Sequence, residues 1–85
     1  MVYDVYLERS ATDDLRRLPR RLSDRITARI GRLANDPRPA GCRKMEGSKS
    51  DWRIRVGEYR VIYEIDDDLD RVNVMRVRHR REVYK

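Results

Sequence analysis

The 85 residues include 21 Lys and Arg against 15 Asp and Glu, giving a net charge of +6 at pH 7 and a pI near 10.0. That length holds one domain, residues 1–85, since independent domains rarely fall below roughly 50 residues. Hydrophobic residues make up 39% of the chain, too many for a disordered polymer, although 42% is charged. No apolar run approaches the roughly 18 residues of a membrane span, and Met1 to Glu8 has no signal-peptide pattern. The single cysteine, Cys42, excludes an internal disulfide and a cysteine-based zinc site. The expectation is a small, soluble, cytoplasmic domain. Its basic excess is almost entirely arginine, 18 Arg to three Lys. Guanidinium binds phosphate bidentately and stacks on bases, so a nucleic acid or an acidic protein is the expected partner.

Val2 to Leu7 alternates and reads as a first strand. Ser10, three residues before Asp13, is the expected N-cap of a short helix carrying Ala11, Leu15 and Leu18 on one face and ending near Pro19. A second helix is predicted from about Arg20 to Asn35, with Leu22, Ile26, Ile30 and Leu33 at helical spacing. The run Asp36-Pro37-Arg38-Pro39-Ala40-Gly41 stops it. Cys42 to Asp51 is polar and unpatterned, a predicted loop. Trp52–Val56 and Tyr59–Ile65 then alternate around Gly57-Glu58, a hairpin with Gly57 at the first position of a type II′ turn. The acidic run Asp66 to Asp70 makes the next turn, Arg71 to Val77 a further strand, and Arg78 to Lys85 a basic tail. The order β-α-α-β-β-β predicts an α+β fold, two antiparallel helices packed on one face of a small antiparallel sheet.

The hairpin pairs Val56 with Tyr59, Arg55 with Arg60 and Ile54 with Val61. Alternation then assigns Trp52, Ile54, Val56, Tyr59, Val61, Tyr63 and Ile65 to the core face and gathers Arg53, Arg55 and Arg60 on the other. Directly opposed like charges destabilise a strand pair, so this cluster invites a polyanion; the plainer alternative is a solvated strand face. The terminal run adds Arg76, Arg78, Arg80 and Arg81, with His79 and Tyr84. His79 is the side chain here that ordinarily titrates near neutrality, hence a candidate proton-transfer group or simply a surface residue. Tyr84 stacks on a base, donates a proton, or staples the tail to the core. There is no Gly-rich phosphate loop, HExxH, metal-ligand pattern or nucleophile elbow. The Asp66–Asp70 cluster lacks EF-hand spacing and reads as a solvated turn, and Cys42 as incidental.

The stretch Trp52-Arg53-Ile54-Arg55-Val56-Gly57-Glu58-Tyr59-Arg60-Val61-Ile62-Tyr63-Glu64-Ile65, with Val77-Arg78-His79-Arg80-Arg81-Glu82-Val83-Tyr84, resembles the RelE branch of the RelE/ParE toxin superfamily. The resemblance covers essentially the whole chain. It implies a toxin of a type II toxin–antitoxin system, cutting messenger RNA in the ribosomal A site without metal or organic cofactor. By position, the family's basic catalytic residues fall on Arg53, Arg55, Arg60 and Arg80, and its C-terminal tyrosine on Tyr84. Arg60 and Arg80 are the expected phosphate clamp, with Arg53, Arg55, Arg76, Arg78 and Arg81 as further RNA contacts. The implied reaction is attack of a ribose 2′-hydroxyl on the adjacent phosphate.

One departure stands out. The family pattern has lysines where this chain has Arg53 and Arg55, and arginine cannot act as a base. His79 and Tyr84 are the remaining candidate bases. The implied partners are a cognate acidic antitoxin, the ribosome and mRNA, with the free toxin a monomer and the antitoxin complex a hetero-oligomer. The alternatives are a ParE-like inhibitor of DNA gyrase that cleaves nothing, and an inactive paralogue that serves as a repressor partner.

Overall fold

The computed structural model describes residues 2–83. Strand β1 (Asp4–Leu7) leads into helices α1 (Arg9–Arg16) and α2 (Arg20–Arg32), followed by strands β2 (Arg43–Lys44), β3 (Asp51–Val56), β4 (Tyr59–Asp66) and β5 (Arg71–His79) and the single-turn helix α3 (Arg80–Val83). The strands form one sheet in the order β1-β5-β4-β3-β2. Ala11, Leu15, Ile26, Ile30 and Leu33 of the helical layer meet Ile54, Val56, Val61, Tyr63, Ile65, Val72, Val74 and Val77 of the sheet in one buried cluster. Trp52 and Tyr59 pack half-buried at its margin. The fold is the expected α+β arrangement. Among the described residues no helix is long and apolar enough to cross a membrane.

The sheet is mixed where an antiparallel one was expected, because β1 runs parallel to β5, from Asp4 beside Arg71 to Leu7 beside Val74. Hairpin turns set the relative direction of β3, β4 and β5, but β1 reaches the sheet through a helical crossover to which no turn parity applies. The amide of Tyr3 donates to the carbonyl of Ala34 at 2.7 Å, fixing the start of β1 to the end of α2. Two further elements add to the predicted order. β2 pairs Arg43 with Arg53 and Lys44 with Trp52, inside the stretch read as a loop; two residues are too few to show alternation. β5 also runs on to His79, and α3 follows where a tail was expected.

Ser10 is not the N-cap of α1; that place is Glu8, with extended φ and ψ of −66° and 158°. Ser10 lies inside the helix and donates its hydroxyl to the carbonyl of Met75 at 2.7 Å. The reason is a bulge in β5: Ile62 faces Arg76 and Tyr63 faces Val74, so Met75 is the extra residue. β1 ends beside Val74, and α1 covers the edge of β5 beyond it. Buried Asp14, 8% exposed, accepts the amide of Val77 at 2.9 Å and the Nε and a terminal nitrogen of Arg76 at 2.9 and 3.0 Å. One carboxylate therefore satisfies a backbone donor on the stretch of β5 that β1 does not reach.

The hairpin forms in the predicted register, Val56 with Tyr59, Arg55 with Arg60 and Ile54 with Val61. Gly57 has φ of 60° while Glu58 does not enter the positive region, the sign pattern of a type II′ turn. In the loop after α2, the amide of Cys42 reaches back to the carbonyl of Pro39 at 3.0 Å, with Gly41 at φ of 88°, as a type II turn requires at its third residue. The buried hydroxyl of Tyr63 donates to the carbonyl of Pro37 at 2.7 Å, and burial pushes its pKa up. Arg38 lies 5.1 Å from the ring centre of Trp52 and grips Asp67 at 2.8 and 3.3 Å. The Tyr3 hydroxyl donates to the same carboxylate at 2.6 Å. Asp66 accepts the amides of Asp68 and Leu69, both at 3.0 Å, so the acidic turn uses its own carboxylates to build itself.

Candidate functional site

Residues directly opposite in antiparallel strands project to the same face, about 5 Å apart at Cβ. Arg55 lies opposite Arg60, and Arg60 opposite Arg78. Arg43 lies opposite Arg53, which shares its face with Arg55 two residues on. Four strands thus place Arg43, Arg53, Arg55, Arg60 and Arg78 on the face turned away from the core. Of the predicted cluster, Arg53, Arg55 and Arg60 are brought together, and Arg43 and Arg78 extend it on either side. Glu64 occupies the same face farther along β4, opposite Asp51.

A cavity of about 300 Å³ opens where the sheet steps from four strands to three, since β2 pairs only with Trp52 and Arg53. Its wall includes Arg53, Arg55 and Arg60 with Arg43 of β2 and Arg29 of α2, and the turn residues Ala40 and Gly41 floor it with little side-chain bulk. Among the described residues Arg29, Arg43 and Arg55 have no carboxylate partner. Neither Arg29 nor Arg43 was singled out from the sequence. Arg29 is one of five arginines on α2 with nothing to distinguish it, and Arg43 depends on a strand with no alternation.

The terminal cations divide. Arg78 is held by Glu82 one helical turn on, at 3.0 Å. Arg80 is tied to the tip of the hairpin, its amide donating to the Glu58 carbonyl at 2.8 Å and its Nε 3.0 Å from the Glu58 carboxylate. That contact keeps it at the Arg55–Arg60 end of the sheet. Arg81 is exposed. Arg76, expected as an RNA contact, has its guanidinium bound by Asp14 in the bidentate pair described above.

His79 lies opposite Tyr59 and stacks edge-on against its ring at 5.3 Å between centroids. Tyr59 packs on the core, so the imidazole is on the helix-bearing side of the sheet, across from the arginine row. Its Nδ1 accepts the amide of Arg81 at 3.3 Å, which leaves the proton of the neutral ring on Nε2. Tyr84, the other candidate, lies outside the described residues.

Such a face can hold a polyanion. Guanidinium groups keep their charge at every physiological pH, and their forks bind phosphate oxygens in pairs. All five positions are directly opposed to another cation, in three pairs, which lowers sheet stability by a few tenths of a kcal/mol or more per pair in the absence of a ligand.

A family model described as the ParE toxin of the type II toxin–antitoxin system parDE matches residues 5–84. Toxin RelG of Mycobacterium tuberculosis is 33% identical over 86 residues, covering 100% of this chain and 99% of the relative. Toxin RelE of the same organism is 31% identical over 84 residues, covering 98% of this chain and 87% of the relative. Among solved structures, the toxin–antitoxin complex RelBE2 from M. tuberculosis superimposes with a TM-score of 0.82 at 28% identity, over 93% of this chain and 99% of that one. The RelE–RelB complex of Pyrococcus horikoshii gives 0.83 at 26% identity, over 94% of this chain and 97% of that one. The chain belongs to the ParE toxin family of type II toxin–antitoxin systems, within the RelE/ParE superfamily.

Proposed function

We propose that this toxin is a ribosome-dependent mRNA endonuclease, kept inactive by a cognate acidic antitoxin. The observation that carries the reading is the row of opposed guanidiniums from Arg43 to Arg78 on the outer face, with Arg80 tied beside it. In the reaction the ribose 2′-oxygen bonds to the adjacent phosphorus and loses its proton, while the bond from phosphorus to the 5′-oxygen breaks and that oxygen takes up a proton. The products are a 2′,3′-cyclic phosphate and a 5′-hydroxyl. The phosphorane-like transition state gathers negative charge, and Arg53, Arg55, Arg60 and Arg80 stabilise it without changing protonation. Removing one such preorganised donor typically lowers turnover about 10²–10³-fold. His79 faces away from this row, beside Tyr59 on the helix-bearing side of the sheet. Tyr84 remains the candidate base that the family resemblance supplies.

Solved complexes of RelE with RelB support an antitoxin as partner here as well. A basic toxin surface favours an acidic, partly disordered segment that folds on binding, so affinity should fall as salt rises. A second reading, inhibition of DNA gyrase without cleavage, is favoured by the match to the ParE model and by arginine at positions 53 and 55.

Cell-free bacterial translation with purified toxin, followed by primer extension on the message, separates the two. The nuclease reading expects cuts that appear only on ribosome-occupied message and vanish with Arg60→Ala and Arg80→Ala. Intact message and normal protein output, with supercoiling by gyrase blocked, would overturn it.

A further inference from the structure

The edge cavity contains cations that the nuclease chemistry above does not use. We propose that it seats a backbone phosphate of single-stranded RNA neighbouring the scissile one, with Arg29 and Arg43 as the added phosphate ligands. The proposal rests on the nuclease reading and names a further subsite for its substrate.

Three observations lead there. First, Arg29 comes from a helix and Arg43 from a separate strand, yet both line the same cavity as Arg53, Arg55 and Arg60. Second, Arg29, Arg43 and Arg55 have no carboxylate partner among the described residues, so their charge is uncompensated at this spot. Third, Ala40 and Gly41 leave the floor open, and Gly41, at φ of 88° with nothing within 4 Å of the place of a Cβ, is held there by a type II turn. A volume of about 300 Å³ equals that of roughly ten waters in the liquid, enough for a phosphate and part of its ribose.

The chemistry of the donors selects the ligand class. A carboxylate has two oxygens and is saturated by one guanidinium fork, whereas a phosphodiester offers oxygens in several directions to several forks at once. Cations converging from α2, β2 and β3 match the second geometry. Arg53 and Arg55 are two residues apart on one strand, about 7 Å, a spacing comparable to that of consecutive phosphates in an extended single strand. A strand crossing the arginine face would therefore place one phosphate over Arg55, Arg60 and Arg80 and its neighbour at the β2 edge.

The test is fluorescence-anisotropy titration of labelled hexauridine and hexaadenosine with the full chain between low and moderate salt. For single strands the slope of log K against log salt is about −0.7 per phosphate neutralised. Arg29→Ala and Arg43→Ala should each flatten it by up to about 0.7, and the double variant by about 0.7, the share of the one phosphate lost, equally for both oligonucleotides. Arg29→Lys and Arg43→Lys preserve the charge and guard against misfolding; they should keep the slope while weakening binding several-fold.

Unchanged slopes in the alanine variants would overturn the subsite. So would loss of binding to polyglutamate with RNA binding intact, which would make the cavity a peptide seat. The wild-type primer-extension result keeps the two proposals apart. Ribosome-dependent cuts with unchanged slopes reject the subsite alone, whereas flattened slopes without any cuts reject the nuclease reading alone.

Discussion

Asp14 is the residue whose removal should damage the fold most for its size. It is 8% exposed and accepts three hydrogen bonds, two from Arg76 and one from the Val77 amide. Arg76 is 39% exposed at its side chain, so its guanidinium can turn back to water when the partner is lost and the ion pair itself contributes little. The Val77 amide is buried and has no such escape. Leaving it unpaired costs about 1–3 kcal/mol, and the lost charged acceptor brings the expected total for Asp14→Ala to about 2–4 kcal/mol. A domain of this length has about 5–15 kcal/mol in all. The thermal midpoint should then fall by roughly 8–32 °C, taking 4–8 °C per kcal/mol.

Asp14→Asn keeps one acceptor and should lose about half as much. Because that partly exposed ion pair contributes little, the double variant with Arg76→Ala should depart from the sum of the singles by no more than about 0.5 kcal/mol. Urea unfolding with a common slope measures all of these. An Asp14→Ala loss below about 1 kcal/mol would refute the claim that this carboxylate satisfies the buried Val77 amide.

Three other outcomes are expected. Arg55→Thr removes a cation opposed to Arg60 and adds a β-favouring side chain, so stability should rise by about 0.2–1 kcal/mol while toxicity in cells falls; a variant that is both less stable and fully toxic contradicts the assignment of that face. Gly57→Ala should cost about 1–2 kcal/mol, since φ of 60° is strained for any residue with a Cβ, as chemical denaturation will measure. For the Tyr3–Asp67–Arg38 contact, stability should depend on pH at both extremes. The fork of Arg38, then the Tyr3 hydroxyl, holds Asp67 below its ordinary 3.8, so its contribution is present above about pH 4 and is lost as pH falls through the folded value. The hydrogen bond to Asp67 raises Tyr3 above its ordinary 10.0, so that contribution is complete below pH 10 and is lost as pH rises through the folded value. Asp67→Asn should flatten both limbs, and Trp52, the one tryptophan and the ring under Arg38, reports the release by fluorescence.

How much of this was legible in the sequence differs by element. The β3–β4 hairpin was readable in full because alternation, β-branched residues and a glycine turn agree there, and its register alone places Arg53, Arg55 and Arg60 together. β1's partner was not readable, because nothing local in Asp4–Leu7 says which strand lies beside it. The bulge at Met75 leaves only a slip of phase in the sequence, Val72 and Val74 falling on even positions and Val77 on an odd one, while the side chains that bind there, Ser10 and Asp14, lie more than sixty positions earlier. Ser10 shows how a local pattern misleads, since its spacing to Asp13 fits a capping motif while its hydroxyl is engaged by the sheet. Arg29 and Arg43 stayed hidden because their common cavity exists only in three dimensions.

The clasp between α1 and β5 joins positions 62 and 63 residues apart, and β1 closes on the same late strand. Chains dominated by such distant pairings fold slowly, since loop closure precedes any reward. During synthesis the first strand and both helices emerge with their sheet partner still missing. The arginine row is also incomplete until Arg78 has been added and β5 has zipped against β4. A nascent copy therefore lacks the complete arginine row until its last strand has been made and zipped, so the fold itself sets when that face first exists.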